Sequence, residues 1–386
     1  MKNKLVLTFA AILFTSSVLF SQNFKLSPND TLTSVVIHPD HSISFEIYAP
    51  NAEKVWLGGS DIPDLFHKGK MTKQDDGVWR VTIDSIEPGA YRYNFNVDGV
   101  SVLDPRNPNV SESNMNAWSL VYVPGEAFMD TQNVPHGAVS SVTYYSTSLK
   151  KFRRMHIYTP PGYDKNNKSY PVLYLLNGAF DCDDSWPTVG SAGFIIDNLI
   201  AENKAVPMIV VMPDGHTGPF RFGMPFNATI NNQDGFVVDF NNDIKPYIED
   251  HYRIINKRED CAIAGLSMGG SQTLNIAIPH LNEFAYIGVF SSGILGINSG
   301  SSFGNNVRST WENDNKKYLE NNELKNGLKE VWFATGKDDF LLKTSLATVD
   351  LLKKYNFNVS FKESNGAHTW NNWRDYLHEF AQLLFK

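Results

Sequence analysis

Ser267 stands in Gly265-Leu266-Ser267-Met268-Gly269-Gly270, a serine with glycine two places to either side. That pattern reads as a sharp strand-to-helix turn that lifts a hydroxyl above a sheet edge. Gly265 and Gly269 keep Cβ atoms out of a crowded turn, and Gly270 lets the next helix pack close. Cys261-Ala262-Ile263-Ala264 is a short apolar run suited to a buried parallel strand, and Gln272 to Ile278 can continue as a helix. The plainer reading is a chance match in a glycine-rich loop; strand before and helix after argue against it.

A serine hydroxyl attacks a carbonyl only with a base in reach and a group to orient that base. His368 is the base candidate, in Asn365-Gly366-Ala367-His368 after the strand Phe357 to Glu363. His280 and His378 fall at a helix end and in a last amphipathic helix. His216, in Asp214-Gly215-His216-Thr217-Gly218, can line the pocket as a substrate contact. The acid falls in Gly336-Lys337-Asp338-Asp339, after the strand Val331 to Thr335. Asp339 is preferred and Asp338 is the alternative, since adjacent side chains point differently. Serine, acid and histidine then follow in that chain order, with all three loops at one sheet edge.

The developing oxyanion needs two N–H donors. One is Met268, which follows the serine. The other is Ala179 or Phe180, in Asn177-Gly178-Ala179-Phe180-Asp181 after the strand ending at Leu176. Phe180 and Trp186 can add aromatic wall to an acyl pocket. Trp370 is either wall or packing for the last helix. No metal or cofactor is required.

The elements that must position these groups are legible in the apolar pattern. Val172 to Leu176 and Met208 to Met212 are continuous apolar runs, as in strands covered on both faces. Helical stretches such as Phe194 to Glu202 alternate with them, which implies a mostly parallel α/β sheet. Residues from about Phe24 to Val123 read instead as short strands between turns such as Asp75-Asp76-Gly77, Pro88-Gly89 and Asp98-Gly99. That spacing suggests a β-sandwich. Its Trp56, Trp79 and Tyr93 are read as packing rather than as sugar-stacking platforms, so the module is expected to be mainly structural or docking.

The 386 residues carry a net charge of -7, which argues against nucleic acid or an anionic membrane as partner. Met1-Lys2-Asn3-Lys4 and the apolar run Leu5 to Phe20, closed by Ser21, read as a secretory signal peptide. The rest is expected to be exported, to the periplasm or the medium, with no membrane attachment. Cys182 and Cys261 are expected to be free thiols, because a strand's length separates them. The expected division is 1–21 signal peptide, 24–124 sandwich, 125–135 linker and 136–386 catalytic domain.

Two resemblances sharpen this. The first module resembles the early-set, immunoglobulin-like domains of the isoamylase N-terminal and glycogen-binding type. It does so through Tyr48-Ala49-Pro50, Trp56, Asp76-Gly77-Val78-Trp79, Pro88-Gly89, Tyr91-Arg92-Tyr93, Val97-Asp98-Gly99 and Asp104-Pro105-Arg106-Asn107-Pro108. The second resembles carbohydrate esterase family 1, the esterase-D-like α/β-hydrolases. Its matches are Pro135-His136-Gly137, Arg154 to Tyr163, Tyr170 to Leu176, Gly265 to Gly270, Gly336 to Asp339 and Gly366-Ala367-His368-Thr369-Trp370.

The resemblance implies an α/β-hydrolase fold and a serine esterase acting on ester-decorated plant polysaccharide or its oligosaccharides. Phe180, Trp186 and Trp370 as candidate aromatic-acid walls favour feruloyl esters on xylan, with acetyl xylan or siderophore esters as alternatives. The resemblance also favours Asp339 as the acid. The family usually carries His-Gly where this chain has Asn177-Gly178, which bears on loop anchoring and substrate choice. A glycan-binding protein with a degenerate hydrolase domain is the reading from another class; an intact Ser, Asp and His set argues against it.

Overall fold

The computed structural model describes residues 26–218, 234–298 and 309–386. The expected signal peptide lies outside the described residues.

The first module is two packed antiparallel sheets. One joins β1 (Val35–Ile37), β2 (Ile43–Tyr48), β4 (Thr72–Lys73) and β5 (Val78–Ile83) in the order β1-β2-β5-β4. The other joins β3 (Val55–Gly59), β6 (Gly89–Val97), β7 (Val100–Val102), β8 (Val110–Glu112) and β9 (Ala117–Val123), ordered β3-β6-β9-β8 with β7 on β6. Alternation along β2 turns Ile43, Phe45 and Ile47 inward. They meet Val55, Leu57, Tyr93 and Phe95 of the opposing sheet. Trp79 and Tyr93 are buried, and Trp79 Nε1 donates to the Ala49 carbonyl at 3.0 Å. Trp56 is half-buried and donates to the Leu65 carbonyl.

The second module is an eight-stranded sheet of β10 (Ala138–Ser146), β11 (Lys151–Thr159), β12 (Val172–Leu176), β13 (Ile209–Pro213), β14 (Cys261–Leu266), β15 (Tyr286–Phe290), β16 (Glu330–Gly336) and β17 (Ser360–Ser364). The order is β10-β11-β13-β12-β14-β15-β16-β17, antiparallel at β10-β11-β13 and parallel from β13 onward. Helices cover both faces, which is why the central strands are apolar throughout. In β12, Val172, Tyr174 and Leu176 join one core with Ile263, Leu274 and Phe284. Leu173 and Leu175 join the other with Trp186, Ile195, Tyr376 and Phe380.

From β12 the chain passes to β13 on one side and then to β14 on the other. The carboxyl ends of β12 and β14 therefore form a topological switch point, where clefts open in such sheets. Leu176 is in register with Gly265 there. Cys261 pairs at the opposite end of the same strands, with Val172, while Cys182 lies past the end of β12. Both cysteines are free and buried, as expected, and burial pushes both thiols up to about 12.

The stretch expected to be a linker is pinned down. The Asn198 side-chain amide donates to the Ala127, Phe128 and Asp130 carbonyls at 3.2, 3.1 and 2.9 Å, and Met129 is buried in the catalytic domain's core. The two modules are thus joined by an ordered connection.

A Cβ added at Gly269 would lie 2.6 Å from the Asn177 carbonyl oxygen and 2.8 Å from Leu176. Both neighbours are at the end of β12, where backbone cannot yield cheaply. Gly269→Ala is expected to lower unfolding free energy by about 1–3 kcal/mol, measured by urea denaturation. An unchanged midpoint and slope would contradict this packing.

Candidate active site

Ser267 follows β14 directly and holds φ 51°, ψ -116°. A non-glycine residue reaches such a conformation only when its surroundings enforce it, at a cost of about 1–3 kcal/mol. Here the Ser267 N–H donates to the Phe290 carbonyl at 2.9 Å. Its carbonyl accepts from Ser292 Oγ at 2.5 Å and from the Gly270 N–H at 3.0 Å. The end of β15 thus holds the turn, and the helix Met268–Ala277 starts on the next residue.

The loops after β16 and β17 are stitched together. Lys337 N–H donates to the Ser364 carbonyl at 2.9 Å and Asp338 N–H to the Gly366 carbonyl at 3.0 Å. This brings His368 Nδ1 to 2.9 Å from Asp339 Oδ2 and 3.1 Å from Oδ1. The Asp339 side chain is 0% exposed and also accepts from the Leu341 N–H at 2.8 Å. The two candidate acids are therefore in different places: Asp339 faces the imidazole, and Asp338 is exposed. With Nδ1 on a carboxylate, Nε2 is left to act as a base. No hydrogen bond joins Ser267 Oγ to that ring among the described residues, and such pairs often tighten only when substrate binds.

The loop after β12 lies against the serine. A Cβ on Gly178 would sit 3.6 Å from Ser267 Cβ and 2.6 Å from Leu266 Cδ1, so the turn packs closely against the serine. The Gly178 carbonyl accepts from the Asp181 N–H at 3.2 Å and from Asn177 Nδ2 at 2.9 Å. The Ala179 carbonyl accepts from His216 Nε2 at 2.7 Å. In a trans peptide the N–H points opposite its carbonyl. The Ala179 and Phe180 N–H groups are thereby turned away from Asn177 and His216 respectively. Met268 N–H, at the first helical position, is the third backbone donor of the set.

Asn177, at the position where the resemblance leads one to expect histidine, is buried and ties two loops together. Its Nδ2 holds the Gly178 carbonyl and its Oδ1 accepts from the Gly215 N–H at 2.9 Å. Arg153 holds the second loop, through the Asp214 carbonyl and, at 2.9 Å, the His216 carbonyl. His216 itself is pushed below the usual histidine range by burial, and its Nε2 proton is committed to Ala179. It buttresses the loop.

Two expected substrate contacts do not fit the packing. Trp186 and Trp370 are only 1% and 2% exposed. They meet edge to face at 5.1 Å, with Trp186 Nε1 on the Leu176 carbonyl at 3.1 Å. Large rings with a donor and a partner inside reach are satisfied as core, so these two do not wall a pocket. Among the described residues, Phe180 and Phe340 are exposed aromatics of the site loops, at 53% and 54%. Phe340 lies 4.5 Å from the His368 ring, which also meets Trp373 edge to face at 5.0 Å. Phe340 was not singled out from sequence; its place directly after the buried acid was the available signal. Among the described residues no group of His, Cys, Asp or Glu is arranged to hold a metal ion.

A family model described as putative esterase matches residues 146–383, and one for carbohydrate-binding module 48, the isoamylase N-terminal domain, matches 34–119. An endo-1,4-beta-xylanase/feruloyl esterase of Xylanibacter ruminicola is 30% identical over 358 residues. The match spans 89% of this chain and 44% of that relative, so the chain covers less than half of the relative's length. A ferulic acid esterase of Anaeromyces mucronatus, solved with ferulic acid, is 28% identical with a TM-score of 0.59, covering 68% of this chain and 96% of that one. The enterobactin esterase of Shigella flexneri shares the fold at 16% identity, with a TM-score of 0.62 over 88% of this chain and 92% of its own.

Asp339→Asn should keep the fold and lower kcat by about 10⁴-fold, because the imidazole loses its orienting charge. Asp338→Asn should stay within about two-fold of wild type, as exposed carboxylates usually do. Steady-state hydrolysis of p-nitrophenyl acetate separates the two, and equal losses would contradict the assignment.

Proposed function

The chain belongs to the putative esterase family and is an ester hydrolase, and from that premise we propose that it releases hydroxycinnamoyl groups, feruloyl foremost, from plant xylan or arabinoxylan oligosaccharides after export. Ser267 is the nucleophile, His368 the general base and Asp339 its orienting acid. Met268 N–H and one N–H of the Ala179–Phe180 pair hold the oxyanion.

Ser267 Oγ bonds to the ester carbonyl carbon as its proton passes to His368 Nε2. Asp339, buried and unable to turn to water, stabilises the imidazolium that results. The carbonyl π electrons move to oxygen, where the N–H groups meet the negative charge. These donors cost little to reorganise because Asn177, His216 and Asp181 already fix the loop. Collapse breaks the bond to the sugar oxygen, which leaves with the proton from His368. Water then repeats the sequence on the acyl-enzyme, releasing the acid and restoring Ser267.

The observation that carries the aromatic acyl group is the pair Phe180 and Phe340, both more than half exposed at the two loops that flank the serine. An acetyl group has no need of such walls, whereas a hydroxycinnamoyl ring gains from stacking and apolar burial. The likeness to ferulic acid esterases supports the same reading.

Methyl ferulate and acetylated xylan, compared as substrates, test it. The expected result is kcat/KM at least about tenfold higher for the ferulate, about 1.4 kcal/mol of transition-state preference. Phe340→Ala should erase most of that preference and leave p-nitrophenyl acetate turnover nearly unchanged. A preference for acetylated xylan would overturn the acyl assignment. Turnover unaltered by Ser267→Ala would overturn the serine mechanism.

A further inference from the structure

The loop that supplies the second oxyanion donor is gripped from outside the catalytic domain. Arg92 lies mid-strand in β6 of the sandwich. Its Nη1 donates to Asp181 Oδ1 at 2.7 Å, with the two side chains 4% and 6% exposed. Its Nη2 donates to Ser185 Oγ at 2.7 Å and to the Glu112 carbonyl at 2.7 Å, and its Nε to Ser111 Oγ at 3.0 Å. The sandwich backbone adds two more ties: Asn114 N–H to the Phe180 carbonyl at 3.3 Å, and Glu112 N–H to Asp184 Oδ2 at 2.8 Å.

Asp181 carries this grip to the serine. Its N–H closes the turn onto the Gly178 carbonyl at 3.2 Å, and its Oδ2 lies 3.2 Å from where a Gly178 Cβ would stand. Gly178 is the residue against Ser267. A second tie reaches the histidine loop: Asp61, from the sandwich segment between β3 and β4, accepts from the Trp370 N–H at 3.3 Å, two residues past His368.

We propose that Arg92 is a positioning residue for the esterase reaction, and that through Asp181 the sandwich module completes the oxyanion site of the catalytic domain. The proposal rests on the serine-esterase reading above. A buried carboxylate stripped of its guanidinium turns toward water or takes up a proton. Either response frees the Gly178–Asp181 turn, and an error of about 1 Å in a catalytic group costs about 10²-fold in rate. Lysine restores the charge but not the planar fork that spans Asp181, Ser185 and Glu112.

The test uses the full chain with p-nitrophenyl acetate, which has no sugar for the sandwich to bind. Arg92→Ala, Arg92→Lys, Asp181→Asn and the Arg92→Ala/Asp181→Asn double variant are compared, with circular dichroism and thermal unfolding beside the kinetics. The expected result is kcat lowered about 10²-fold in Arg92→Ala, with KM within about two-fold. Arg92→Lys should recover part of the loss. The double variant should be no worse than the poorer single, because both act on one turn. Folded Arg92→Ala with wild-type kcat would overturn the proposal. Where Arg92→Ala does not fold, wild-type kcat in both Asp181→Asn and Arg92→Lys overturns it equally. A KM increase at constant kcat also does so, since that is a binding role. If wild type shows no Ser267-dependent turnover, the serine-esterase reading fails first. If that turnover is present and the Arg92 and Asp181 variants keep it, only the positioning role fails.

Discussion

Ser267 is held at φ 51°, a backbone state that a serine does not adopt unaided. Everything at the site is arranged around keeping it there. The hydrogen bonds of the Ser267 N–H to the Phe290 carbonyl and of Ser292 Oγ to the Ser267 carbonyl fix the turn from β15, while Gly265, Gly269 and Gly270 leave the space it needs. The strain raises the hydroxyl above the sheet edge, and the register of β12 with β14 brings Gly178 beside it. Release of that turn would displace the proposed nucleophile and the proposed oxyanion loop together, because both hang on the same pair of strand ends.

Several charged and polar groups near the site are buried with partners that fix their direction. Asp339 is closed to water and faces the imidazole and the Leu341 N–H. Arg153 holds the His216 loop, and Asn177 bridges that loop to the turn after β12. The module boundary follows the same rule. Arg92, Asp181, Asp61 and Arg374 lie where the sandwich meets the catalytic domain; Arg374 donates to the carbonyls of Ala90 and Val189 at 3.1 and 2.9 Å. A buried ion pair such as Arg92–Asp181 is weak evidence for added stability, because desolvation offsets its attraction. The carbohydrate-binding-type module is therefore built into the catalytic domain rather than tethered beside it.

Much of this was legible in the chain. The small residues around Ser267, the apolar runs of β12, β13, β14 and β16 and the order of the acid and histidine loops are local signals, and each governs local structure. What the sequence left dark depends on partners far along the chain. Arg92 and Asp181 lie 89 residues apart, and no spacing rule pairs them. Trp186 was expected as pocket wall and Trp370 as either wall or packing for the last helix, but a ring's inward or outward turn is decided by tertiary packing. Their mutual contact and the Leu176 carbonyl settle them as core. Phe180 and Phe340 show the reverse: one was expected at the site and the other was passed over, and both stand exposed beside it. Asp338 and Asp339 could not be told apart by type; the resemblance favoured Asp339, and the loop buries that carboxylate against His368.

The central claim is that Ser267 carries the acyl group through the reaction. Intact-mass spectrometry of enzyme acid-quenched during turnover of methyl ferulate, followed by peptide mapping, addresses it directly. The account predicts a feruloyl adduct on the peptide that contains Ser267, absent from Ser267→Ala. Turnover with no adduct, or an adduct on another residue, would contradict it.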